Sequence, residues 1–251
     1  MTTEAKVRCE NLAVGHEGRA IMSGITFAVE AGQLAAVVGP SGCGKSTLMR
    51  ALVGLTEPLA GTAWLFGRAM DELTESERDG LLRRAGFLFQ GSALWSSLTV
   101  RENVELPLRE FGQCGPRECR LIAEHKLAQV GLLGAADKLP SELSGGMAKR
   151  AGLARALALD PEVLFLDEPS AGLDPVTAAR LDDLILRLRD VLGTAVVLVS
   201  HEVASIRRLA DFCVYLDPDT HRMGPVGRID DILASSGHAG ACAFFATHLR
   251  A

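Results

Sequence analysis

No uninterrupted apolar run in the 251 residues approaches the roughly 20 needed for a helix to span a bilayer, so the chain is not expected to form a pore itself. Met1 to Glu10 is polar and charged and lacks the apolar core of a secretory signal, which predicts a protein on the cytoplasmic side. Lysine and arginine nowhere cluster beyond ordinary helix decoration, and the net charge is −5. The tightest basic pair, Arg83-Arg84, reads as a solvated helix end, and no nucleic-acid partner is expected. The cysteines Cys9, Cys43, Cys114, Cys119, Cys213 and Cys242 form neither a C-x-x-C pair nor a zinc spacing, and are read as reduced thiols. There is no internal repeat and no low-complexity tract. What is present is a 48% apolar composition, enough for one large core or a core with a subdomain.

The most specific string is Gly39-Pro40-Ser41-Gly42-Cys43-Gly44-Lys45-Ser46, which follows the apolar run Leu34 to Val38 and opens a helix-compatible segment that begins with Thr47. Glycines at this spacing let the backbone curl so that successive N–H groups converge on the β- and γ-phosphates of a nucleotide. Lys45 adds a mobile positive charge, and Ser46 offers a hydroxyl to a bridging Mg²⁺. The helix that follows turns its positive end toward the same anion.

Two further strings narrow the class. Val163 to Leu166 is an apolar strand ending in Asp167-Glu168, with Asp167 placed to hold Mg²⁺ and Glu168 placed to polarise a water for in-line attack. Their bland role is an acidic strand end capping the next helix. Leu143-Ser144-Gly145-Gly146-Met147 precedes a run of good helix formers, so Ser144, Gly145 and Gly146 present a hydroxyl and unpaired N–H groups at a positive helix end. Alone, such a turn more often simply caps a helix. A chain that already has one phosphate loop, however, has no obvious use for a second.

Strand-like runs near Val7 to Val14, Gly24 to Val29, Leu34 to Val38, Thr62 to Phe66, Gly86 to Phe89, Val163 to Leu166, Ala195 to Ser200 and Cys213 to Leu216 alternate, in the later part, with helical segments. The pattern predicts an α/β fold, a mostly parallel sheet with an antiparallel portion at the N-terminus. Helices expected over Thr99 to Phe111, Pro116 to Val130 and Ser144 to Leu159 suggest a helical subdomain over about 91–158, inserted into a core of about 1–90 and 159–223. A tail over 224–251 completes a single domain spanning 1–251, with short helices expected at Ile229 to Ala234 and Cys242 to Leu249.

These motifs, in this order and over essentially the whole chain, resemble the nucleotide-binding domain of ABC transporters. That resemblance implies a P-loop NTPase of RecA-like core that binds ATP and Mg²⁺ and hydrolyses ATP as a head-to-tail homodimer. Ser144 to Gly146 of one copy would cover the γ-phosphate held by Lys45 and Ser46 of the other. Gln90 matches the glutamine that reaches toward Mg²⁺ and the attacking water, and His201 the histidine that holds the γ-phosphate and Glu168. Asp174 matches the aspartate linking the two sites, its bland role being to cap the helix that Pro175 begins. The resemblance also implies an adenine-stacking residue some two dozen positions before the phosphate loop. Here that position falls on His16, which offers less area than a larger aromatic ring. The signature usually ends in glutamine where this chain has Met147, a change expected to alter side-chain contacts more than ATP capture.

The strings from Leu139 through Met147 to Arg155, from Phe89 to Trp95, and from Asn103 to Glu110 are similar to the ATPases of Mla- and Mce-type lipid transporters. This implies a chain peripheral on the cytoplasmic face of the inner membrane. Its partners would be an integral membrane permease, an MCE-domain substrate-carrying protein and a small regulatory subunit. The groove bordered by Ala93, Leu94, Trp95, Leu98 and Val100 would accept a permease helix, subdomain packing being the bland reading of each residue. Two other functions stay open at this stage: an ATPase that regulates a membrane partner in cell-wall or division signalling without carrying cargo, and a soluble P-loop kinase. The kinase reading has trouble explaining the signature and His201.

Overall fold

The computed structural model describes residues 5–112, 114–235 and 237–249; residues 1–4 of the stretch read for a signal lie outside it. Its centre is three five-residue strands with every side chain buried: β3 (Leu34–Val38), β7 (Val163–Asp167) and β8 (Ala195–Val199). Continuous apolar runs of this kind suit parallel strands covered on both faces by helices. With β6 (Ala85–Leu88) and β9 (Phe212–Asp217) they form a parallel array in the order β9, β3, β8, β7, β6. All five carboxyl ends point to one edge, where ligands of such sheets collect.

The other half of the ten-stranded sheet is built from β1 (Val7–His16), β2 (Arg19–Val29), β4 (Ala60–Leu65), β5 (Arg68–Ala69) and β10 (Arg222–Gly227). The β1/β2, β1/β4, β4/β5 and β9/β10 pairs are antiparallel, whereas β10 meets β2 in parallel at Arg222 and Ser23. The antiparallel share is thus larger than the sequence suggests. β5 is only two residues long, and β10, with its Gly and Pro, lacks an apolar pattern.

Helix α1 (Lys45–Leu52) crosses one face, in a core that includes Leu48, Leu52, Phe165 and Val197. On the other face, α3 (Val100–Phe111), α4 (Pro116–Gln129) and α5 (Gly145–Ala156) share a second core with Leu34, Leu164, Val196 and α6 (Pro175–Leu192). A third, smaller core joins α7 (Val203–Leu209), α8 (Ile229–Ser235) and α9 (Ala239–Leu249) to Val38 and Tyr215 through Phe244 and Phe245. α2 (Glu75–Leu82), which the sequence reading passes over, has no buried residue and begins at a capping box made by Thr74 and Glu77. The absence of an apolar stripe is why it leaves so little trace.

One expectation is corrected. Cys114 and Cys119 are joined in a disulfide at the start of α4, so only Cys9, Cys43, Cys213 and Cys242 are free thiols. The five-residue separation matches no familiar motif; the two meet because Gly115 is extended at the cap of α4 and Cys119 lies in the first turn of that helix.

Candidate functional site: a phosphate cleft at the strand ends

The loop between β3 and α1 is shaped by its glycines. Gly42 and Gly44 have φ of 82° and 99°, in the left-handed region that glycine adopts without penalty. A Cβ on Gly39 would lie 2.7 Å from the Leu216 carbonyl oxygen and 2.8 Å from the Cys43 sulfur, so β9 and the loop pack against bare backbone there. Gly44 caps α1 with no side chain in the way, leaving the helix's first amides open to an anion. Lys45 is buried, its ammonium donating to the Gly39 and Pro40 carbonyl oxygens at 2.8 Å each. Burial pushes the Cys43 thiol up despite the nearby Lys45 charge, which keeps it protonated and unreactive.

Across the cleft, Ser46 donates its hydroxyl to Asp167 Oδ2 at 3.0 Å, while Asp167 Oδ1 is buried with no partner. Glu168 follows on the same strand end, buried and with φ of 51°, an uncommon conformation for a residue with a side chain. His201 Nδ1 lies 2.8 Å from Glu168 Oε1, and Glu168 Oε2 is buried without a partner. Against a carboxylate oxygen Nδ1 is the donor, which leaves Nε2 free of that contact on a half-exposed ring.

A cleft of about 360 Å³ is lined by His16, Ser41, Gly42, Gly44, Lys45, Ser46, Thr47, Gln90, Asp167 and Glu168, among others. One chain therefore gathers ten of the residues read from the sequence into one cavity, with His201 attached through Glu168. Gly39, Pro40 and Cys43 belong to the same loop but do not line the cleft themselves.

Ser144 to Gly146 do not reach this cleft. Ser144 caps α5, accepting from the Met147 amide at 3.3 Å, and Gly146 packs on Thr177 and Leu173 beside a different depression. Met147 itself packs inward against the second core. Asp174 caps α6, accepting from the Val176 and Thr177 amides at 3.1 Å each; the Thr177 hydroxyl first, and then these amides, hold its carboxyl below the usual range. Its capping role is thus realised within the chain.

The family description "ABC transporter" matches residues 22–171, more than half of the chain. The chain belongs to the ABC transporter family. It is 42% identical to the "Intermembrane phospholipid transport system ATP-binding protein MlaF" of Escherichia coli K12, over 77% of this chain and 72% of that one. It is also 40% identical to the "Probable ribonucleotide transport ATP-binding protein mkl" of Mycobacterium tuberculosis, over 76% of this chain and 53% of that one. Among solved structures, the ATP-binding cassette MJ0796, bound to ADP and Pi in a dimeric post-hydrolysis state, superposes with a TM-score of 0.80 at 29% identity, covering 88% of this chain and 98% of that one. The chain is accordingly an ABC-type ATPase.

Two polar residues to which the sequence reading gives no role of their own serve this ATPase's loops. Asn103, fully buried, accepts from the Trp95 amide at 2.8 Å and donates to the Trp95, Leu98 and Thr99 carbonyl oxygens at 3.1, 3.1 and 2.9 Å. Lys149, buried on α5, donates to backbone carbonyls at two strand ends. Neither partner set is adjacent in sequence in a way that a motif could reveal.

A second concavity, an apolar groove of about 750 Å³, lies on the far side of β6 and the loop after it. Phe87, Phe89, Ala93, Trp95, Leu106 and Phe111 line it, and Trp95 is 59% exposed. Val100 turns inward to the second core, and Leu94 packs against that core as well. Of the five residues named from the sequence, only Ala93 and Trp95 line the groove.

Proposed function

We propose that this chain hydrolyses ATP as a symmetric homodimer that drives phospholipid movement between membranes through an integral permease. The observation that carries it is the divided site. Lys45, Ser46, Gln90, Asp167, Glu168 and His201 belong to one cleft, whereas Ser144, Gly145 and Gly146 face elsewhere and require a second copy to meet a nucleotide.

In this reading Lys45 leaves the Gly39 and Pro40 carbonyls to reach the β- and γ-phosphates, and Ser41 to Thr47 supply amides. Glu168 Oε2, buried and unpartnered, accepts the proton of the attacking water while His201 holds Oε1. Ser46, Gln90 and Asp167 form an all-oxygen donor set that suits Mg²⁺, and the orphaned Asp167 Oδ1 fits that role. Mg²⁺ held there supplies neutralisation of charge on the phosphate oxygens. His16, exposed at the rim, stacks on adenine, and Asp174 lies where the two copies meet.

Lipid cargo is supported by the relationship to MlaF and by the similarity of the strings around Gln90, Asn103 and Met147. The relationship to mkl, whose name gives a ribonucleotide cargo, keeps a second cargo class in view. The groove at Trp95 suits an amphipathic permease helix. An MCE-domain carrier protein and a small regulatory subunit complete the assembly, this chain lying peripherally on the cytoplasmic face of the inner membrane.

Two measurements test this. Glu168→Gln should bind MgATP and accumulate as a closed dimer, and strictly monomeric behaviour in saturating MgATP would count against the divided site. Affinity isolation from membranes should bring down a permease, an MCE-domain protein and phospholipid. A peptidoglycan-linked partner without lipid would favour the regulatory reading, and bound ribonucleotide the other cargo.

A further inference from the structure

The first part of the loop, from Gln90 to Ala93, is held by one face of α5, while Asn103 of α3 holds the part from Trp95 to Thr99. Lys149 donates to the Gln90 carbonyl oxygen, and Arg155 donates to the Ser92 and Ala93 carbonyl oxygens at 2.9 and 2.6 Å. Between them Gly152 lets the helix approach so closely that a Cβ would lie 2.7 Å from Leu88 Cδ1 and 3.2 Å from the Ser92 oxygen. Residues 149, 152 and 155 recur at three-residue spacing and so lie along one side of the helix. Ser92 and Ala93 have φ of 59° and 48°, conformations that non-glycine residues keep only when the surroundings hold them. Loop and helix therefore form one unit.

Among these contacts Lys149 differs. Its ammonium also donates to the Glu168 carbonyl oxygen at 2.9 Å, at the end of β7. One charged group thus ties the carboxyl edges of neighbouring strands β6 and β7 to the helix that begins at Ser144. Glu168 is the residue with φ of 51°, and its amide donates to the Val199 carbonyl at 2.8 Å. Its peptide is pinned on one side by β8 and on the other by Lys149. Burial without a hydrogen-bonded carboxylate lowers the Lys149 pKa, an effect that Glu168 and Asp167 partly oppose, so the lysine is a costly choice if packing were its only task.

We propose that Lys149 is a positioning residue for ATP hydrolysis: it fixes the Glu168 backbone and the Gln90 loop to the signature helix, so that the water-activating carboxylate is held where the second copy's engagement with Ser144 to Gly146 can be felt. The inference rests on the reading of Glu168 as the group that activates water. Lys149 touches neither nucleotide nor water. Its effect therefore belongs in the chemical step, not in ATP capture, because the phosphate loop and Lys45 are held by separate contacts.

The test is steady-state ATPase kinetics of the full chain carrying Lys149→Met, Lys149→Gln or Lys149→Arg, with melting temperature measured alongside. Misplacement of a reacting group by an ångström costs up to about 100-fold in rate, so Lys149→Met should lose about 10- to 100-fold in kcat while KM for ATP moves less than about threefold. Lys149→Arg, which keeps two donors and the charge, should recover at least about a third of parent kcat. A Met variant within about threefold of parent kcat, an Arg variant no better than Met, or a loss sitting in KM overturns the proposal. If the Met variant does not fold, the Gln and Arg variants make the same comparison, with Arg expected to be the faster. Failure of the underlying reading is separate: Glu168→Gln would then retain turnover whatever Lys149 does.

Discussion

Asn103→Ala should destabilise the chain by more than a surface substitution can. The side chain is fully buried and has four polar contacts, all to the backbone between Trp95 and Thr99. Its amide has only two hydrogens for three carbonyl oxygens, so these contacts amount to about three hydrogen bonds. At a net 0.5–1.5 kcal/mol each, the loss is about 2–4 kcal/mol, with the Trp95 amide and the carbonyls free to find water once the loop opens. Trp95 is already 59% exposed, which keeps the cost from rising further. Urea unfolding followed by far-UV circular dichroism measures it, and at an unchanged slope the midpoint should fall. In a Trp64→Phe background the emission of Trp95 should shift toward that of a mobile, hydrated indole. A loss below about 1 kcal/mol, or an unchanged Trp95 spectrum, would refute the claim that this one amide builds the edge of the apolar groove.

Asp182 is buried on α6 with Oδ1 unpartnered, and desolvation pushes its carboxyl up to about 6. Because the folded chain then holds the proton that the unfolded chain releases, this group's contribution to stability falls as pH rises from about 4 to 6 and the penalty is complete above that. Two pKa units correspond to about 3 kcal/mol, so Asp182→Asn should raise the melting temperature at pH 7.5 and flatten the acid-side dependence; an unchanged slope between pH 4 and 6 would count against it. Gly86→Ala places a Cβ 2.3 Å from the Ala156 carbonyl oxygen, a backbone atom that can yield only if α5 moves off β6. Overpacking of this kind costs about 1–3 kcal/mol, or roughly 2–12 °C of melting temperature for a chain of this size, and a neutral outcome in calorimetry would mean that the helix is looser on the sheet than drawn.

What could be read from the sequence and what could not divide along a physical line. The phosphate loop, the Asp167-Glu168 strand end and the fully buried strands were legible because each is a local event: a backbone bend that demands glycine, or an apolar run that demands burial on both faces. His201 and Glu168 lie 33 positions apart; the family resemblance paired them, and the structure places both at the carboxyl ends of adjacent parallel strands. Lys149 and Asn103 were not legible for the opposite reason. Their partners are backbone carbonyls and amides, which every residue carries, so nothing in the chemistry of neighbouring side chains marks them. The same holds for β10, which exists because β9 offers it an edge and not because Arg222 to Gly227 favours a strand. A sequence motif thus records the groups that line the cleft, whereas the groups that hold those groups still speak only to the backbone and emerge once the chain is folded. That asymmetry argues for searching the buried lysines, asparagines and arginines of α3 and α5, not further motif positions, for the residues that hold the cleft and the loop beside Trp95 in register.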